Sequence, residues 1–183
     1  MMNKLQATLL TVLSLSLAIA PLHAQERQRV SPHETVNATI DGNDISVVYG
    51  RPYTKDPKSG EKRKVWGGLV GYGKVWRMGA DEATLFTTKK AIEMGGTKIP
   101  AGTYSLFMQV EENGSAKLIV NKQTGQWGTR YDASQDLARI DLKKSAASDA
   151  ADQFTIEIEQ SEKGGVLQMS WEDTQYSVAF QNA

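Results

Sequence analysis

"TYSLFMQVEENGSAKLIVN", residues 103–121, settles the fold class. Tyr104, Leu106, Met108 and Val110 fall on one side, the period of two that a strand with one buried face requires. Asn113-Gly114 is a residue pair suited to a tight hairpin turn, after which "AKLIVN" resumes as a second strand. The same grammar extends in both directions. In "ISVVYG", residues 45–50, Ile45, Val47 and Tyr49 share a side, and Asp41-Gly42-Asn43 before it predicts a hairpin with Thr35 to Ile40. "FTIEIEQ" (154–160) sends Phe154, Ile156 and Ile158 inward and Thr155, Glu157 and Glu159 outward. Gly164-Gly165 leads into "VLQMSW", where Leu167, Met169 and Trp171 align, and "YSVAF" places Tyr176, Val178 and Phe180 together. No segment sustains a helical period. The best helical candidate, "SAASDAAD" (145–152), is short and polar and predicts one turn at most. About eight to ten short strands divided by Gly, Asn and Pro turns specify an all-β protein, an antiparallel β-sandwich of jelly-roll-like or barrel-like form.

The first residues lie outside that pattern. Lys4 is the only charge before an apolar run from Ala7 to Ala20, and Pro21-Leu22-His23-Ala24 ends it on a small residue. This is the layout of a signal peptide, with cleavage expected near Ala24/Gln25 and an exported, periplasmic or extracellular product. The expected organisation is a signal peptide over 1–24, a flexible N-terminal arm over 25–34 and one domain over 35–183. Lys4 leaves with the leader, so 21 basic residues become 20 against 21 acidic ones, a net charge of −1. Nucleic acid and anionic membranes select a basic excess, so neither is an expected partner, and the mature chain has no transmembrane segment. The chain has no cysteine, which excludes disulfides, thiolate chemistry and zinc–cysteine sites.

Catalytic motifs are sparse. The mature chain keeps one histidine, His33, and "HETVN" has Asn37 where a zinc-protease helix needs its second histidine. A histidine-based hydrolase triad, a nucleophile elbow and phosphate-binding glycine loops all lack their residues. No cofactor and no metal is expected. A glycosidase-like pair of carboxylates stays open, because such pairs are defined in space and not in sequence.

What stands out is a concentration of aromatic and charged residues in and beside a long irregular segment, Arg51 to Lys74. Tyr49, Arg51, Trp66, Tyr72, Trp76, Arg77 and Glu82, with Gln126 and Trp127 from a second glycine-flanked loop, form the candidate ligand-binding set. Aromatic faces with a few amide and charged groups suit a sugar or another small polar ligand. The competing expectation is structural: the tryptophans pack the long loop onto the sandwich, and an Arg77–Glu82 ion pair clamps the turn, with Asp81 facing solvent. Lys62-Arg63-Lys64 reads as a solvated loop tip.

At "YGRP" (49–52), "WGGLVGYGKVWRMGADEATLFTT" (66–88), "AGTYSLF" (101–107) and "NKQTGQWG" (121–128) the chain resembles domain of unknown function family 2911. The resemblance runs from about Ile45 to Trp171, with four motifs in order. This chain departs from the family's pattern at Gly71 (Pro in the family), Met78 (Thr) and Asp81 (Asn), and "DPKSGEKR" (56–63) lengthens a connection. Arg51, Trp76, Arg77, Glu82 and Trp127 are in place. The resemblance implies an all-β exported protein with no established activity. Three functional readings follow: a non-catalytic binding module, a glycosidase-like hydrolase using paired carboxylates, and a structural or partner-binding envelope protein. Oligomeric state has no signature in the sequence.

Overall fold

The structure, a computed structural model, describes residues 29–183. The expected signal peptide and its cleavage point lie outside the described residues. Ten strands follow in chain order: β1 (His33–Ile40), β2 (Asn43–Gly50), β3 (Val75–Trp76), β4 (Ala80–Thr88), β5 (Ile92–Met94), β6 (Thr97–Ile99), β7 (Gly102–Val110), β8 (Ala116–Asn121), β9 (Asp136–Ser161) and β10 (Gly164–Asn182). Among the described residues the only helical piece is a 3₁₀ turn at Ala133–Gln135. His33 and Glu34, at the end of the expected arm, already belong to β1.

Every pairing between these strands is antiparallel, and one open sheet runs β1-β2-β4-β7-β8-β9-β10-β5-β6, with β3 set against β7. The two long strands make this sheet turn back on itself. Residues 136–142 of β9 pair with β8, and residues 143–161 pair with β10. One strand thus belongs to both walls, which face each other across a single apolar core. Val47, Phe86, Leu106, Leu118 and Ile140 come from one wall; Phe154, Ile156, Leu167, Met169, Trp171, Tyr176 and Phe180 come from the other. Just past β2 the walls also meet directly: the amide of Phe154 donates to Pro52 O at 3.0 Å, and that of Thr54 donates to Asp152 O at 2.7 Å.

The alternation read from sequence is the alternation of burial. Tyr104, Leu106, Met108 and Val110 are all core, as are Ile45, Val47 and Tyr49. The β1–β2 turn carries positive φ at Asp41 (50°) and Gly42 (71°), as the hairpin turn matching strand twist demands. Its neighbour Asn43 is fully buried. One expectation fails. Residues 145–152 are not a helical turn but part of β9, where Ser145 faces Gln175, Ala146 faces Thr174 and Ala151 faces Glu172. The register steps there, residues 147–150 standing opposite Asp173 alone, and Glu172 takes φ 52° to accommodate it. Pairing with β10 supplies hydrogen bonds that an isolated polar turn of helix could not match.

Candidate functional site

The first half of β4 leaves its neighbour. Val48 pairs with Leu85 and Gly50 with Ala80, so residues 81–84 have only Tyr49 opposite them on β2 and bulge outward. They acquire a new partner, the loop between β8 and β9. Ala83 N donates to Gln126 O at 3.1 Å, Gly128 N donates to Asp81 O at 2.9 Å, and Glu82 sits opposite Trp127. The turn that starts the bulge is contorted. Met78 (φ 50°) and Asp81 (φ 64°) occupy the left-handed region, which costs non-glycine residues of order 1–3 kcal/mol each. Two anchors hold it: the Met78 side chain is fully buried, and the hydroxyl of buried Thr84 donates to Met78 O at 2.6 Å.

The charges of this turn are arranged otherwise than expected. Glu82 does not pair with Arg77. Its carboxylate receives both terminal nitrogens of Arg29, at 2.5 and 3.0 Å, with His33 Nε2 at 3.7 Å. Asp81 is not turned to open solvent; its Oδ2 lies 3.2 Å from His33 Nε2. That same nitrogen is 2.7 Å from Arg29, so it can accept from the guanidinium or donate to Asp81, but not both at once. The register is the reason: Glu82 belongs to the bulge, opposite Trp127 and on Arg29, a placement that sequence spacing does not reveal. The Arg29 hydrogen bond, first among several causes, holds the Glu82 carboxyl below the usual carboxylate range.

This pair is solvent-exposed, with side chains 47% and 39% accessible, so Arg29→Ala or Glu82→Gln is expected to cost about 1 kcal/mol or less. Because the folded pKa is depressed, the contribution is present above the unfolded value and is lost as pH falls through the folded one. Urea denaturation of wild type and Glu82→Gln at neutral pH and at a series of acid pH values checks this: their difference should shrink as the pH falls, and an unchanged difference would assign it to another cause.

The candidate residues divide sharply. Tyr49 is buried, its hydroxyl accepts from Ile156 N at 2.9 Å, and burial pushes its pKa up to about 12. Arg51 is a strap, donating to Phe154 O and Thr155 Oγ1 while pairing with Glu34 at 2.6 Å. Trp66 packs edge-on against Trp171 and Tyr176. Gln126 is buried against Ser105. Tyr72 lies exposed across Gly67, where a Cβ would strike its ring. Trp127 is 47% exposed. Of the basic run, Lys62 and Lys64 are exposed, while Arg63 turns in to the carbonyl of Tyr53.

Trp76 and Arg77 face a different feature. Trp76 stacks on Trp171 on its inner side, and outside it opens a hollow of about 360 Å³. Arg77, Gly128 and Thr129 line it together with Leu69, Val75 and Tyr131. Gly128 lies on the arginine stem, where any Cβ would overlap Cβ, Cγ and Cδ of Arg77. The Arg77 Nε donates to Gly79 O at 3.2 Å. Tyr131 tilts against Phe107 at 4.9 Å and 59°, donates its hydroxyl to Asp136 and accepts from Arg139. Phe107, Ala83 and Ile119 form a small apolar cluster on the outer face of the sheet, covered by Val75 and Tyr131. Leu69, Val75, Gly128, Thr129 and Tyr131 lie outside the candidate set read from sequence. The only available signal was Tyr131 four residues beyond Trp127, and which face it covers depends on the fold of the loop.

The family described as protein of unknown function (DUF2911) matches residues 31–180, nearly the whole described chain. No curated protein and no solved structure matches.

Proposed function

The chain belongs to that family, and from that premise we propose that it is a non-catalytic binding module for a sugar or another small polar ligand. The observation that carries this reading is the hollow at Arg77: an aromatic and aliphatic wall beside a single guanidinium, held by a turn with two residues in strained backbone conformations. Strain of this kind persists where the surrounding structure over-determines it, and it concentrates at ligand-holding sites. Aromatic surface with a few convergent polar groups is the composition of small-molecule sites. In the same proposal the leader over residues 1–24 exports the protein to the periplasm or medium. The glycosidase-like alternative fits less well. It needs a carboxyl that is protonated near neutrality, whereas the pairing with Arg29 keeps Glu82 ionised.

Titration of the purified protein with a panel of neutral and acidic monosaccharides, followed by tryptophan fluorescence, tests the proposal. A saturable change is expected, because Trp76 borders the hollow. Gly128→Ala should weaken that binding by an order of magnitude or more, since the added methyl must displace the Arg77 stem. The same crowding should cost about 1–3 kcal/mol of stability. Absence of saturable binding across the panel would remove the reading in favour of a structural envelope protein.

A further inference from the structure

The hollow carries more information than its shape. It is lined by one ionic side chain, Arg77, and by no carboxylate. Nε of Arg77 is used by Gly79 O, and its two terminal amino groups have no acceptor among the described residues. The acidic residues of the adjoining turn lie against other groups, Asp81 Oδ2 3.2 Å from His33 Nε2 and Glu82 on Arg29. Tyr131 adds no competing charge: burial, then Asp136, pushes its phenol up to about 12. Exposed Lys74, Arg130 and Asp132 adjoin the lining residues in sequence, two basic groups against one acidic, which leaves the surroundings of Arg77 net positive.

We infer, on the premise that this hollow is the binding site, that its ligand is a carboxylate-bearing one, an acidic saccharide of the uronate class, with the carboxylate on the terminal amino groups of Arg77. A guanidinium presents two parallel N–H donors that match a planar carboxylate. Phosphate fits less well, because two of the backbone amides that would cradle it are occupied. Gly128 N donates to Asp81 O, and Arg130 N donates to Trp127 O. The remaining wall, Trp76 with Leu69 and Val75, offers apolar surface to the C–H face of a ring.

Isothermal titration of the full folded protein with glucuronate, glucose and inorganic phosphate tests the inference. Glucuronate should bind at least about tenfold more tightly than glucose, a preference that Arg77→Gln removes and Arg77→Lys retains in part. Equal affinity for glucuronate and glucose overturns the anion assignment while leaving the binding reading intact. Phosphate binding more tightly than glucuronate overturns the carboxylate assignment. Heat from none of the three overturns the inference, and silence across the whole monosaccharide panel overturns the binding reading beneath it. Should Arg77→Gln fail to fold, ¹³C NMR of the arginine Cζ resonances in wild-type protein decides. Glucuronate should shift one arginine signal that glucose leaves in place, and no such shift refutes the inference.

Discussion

Trp171→Ala is expected to lose about 3–5 kcal/mol of stability, the range for removing a large buried aromatic side chain. Trp171 is 1% exposed and joins both walls of the sheet. Trp76 stacks on it at 5.8 Å and 22°, Phe154 tilts against it at 5.8 Å, and Trp66 meets it edge-on at 6.5 Å. Its indole N–H donates to Thr54 Oγ1 at 3.1 Å, which ties the start of the long irregular segment to β10. Truncation therefore leaves a cavity, an unpaired hydroxyl in a buried place and a loosened loop. Trp127→Ala supplies the contrast. With nearly half its surface in water and no ring partner among the described residues, it should cost on the order of 1 kcal/mol or less. Guanidinium denaturation of both variants measures the difference. Equal losses would mean that Trp127 is a packing residue, and a Trp171 loss below 2 kcal/mol would mean that the core collapses around the void.

Asn43→Ala should be nearly as severe, at about 3 kcal/mol or more, for a different reason. The side chain is fully buried, and its orientation is dictated by its partners. Lys90 N can only donate, so Oδ1 faces it at 2.9 Å, and Nδ2 then donates to Thr88 Oγ1 and Asn182 Oδ1, each at 3.0 Å. Asn182 in turn donates to Asp41 O in the β1–β2 turn. One amide thus joins the first hairpin, the end of β4 and the last strand. Alanine takes one partner from the buried Thr88 hydroxyl and from two part-buried groups, Lys90 N and Asn182 Oδ1, and a buried polar group left unpaired costs about 1–3 kcal/mol. Asn43→Asp keeps an acceptor for Lys90 but can no longer donate to the other two, and it buries a charge, so it should not rescue. Thermal unfolding of the two variants is the check; a shift of only a degree or two in either would show that water replaces the lost partners.

The β class and the core were legible in the sequence because burial in a half-buried strand is periodic. Tyr104, Leu106, Met108, Val110 and Trp171 are inside for the reason their alternation implies. The absence of cysteine likewise determined that packing and hydrogen bonds, not disulfides, hold the fold. The asparagine at the first turn was legible as a turn residue, but not as the buried hub it becomes. The site was legible only as a neighbourhood. Tyr49, Trp66 and Gln126 look like binding groups in sequence, yet Tyr49 is buried between the walls, Trp66 is half-buried against Trp171 and Tyr176, and Gln126 is buried against Ser105. Arg77 and Glu82 are close along the chain, yet the bulge at 81–84 separates them and gives Glu82 to Arg29, 53 residues away. Local sequence dictates which face of a strand is apolar. Only tertiary structure decides which strand lies alongside, because strand pairing joins segments whose separation along the chain carries no energetic label.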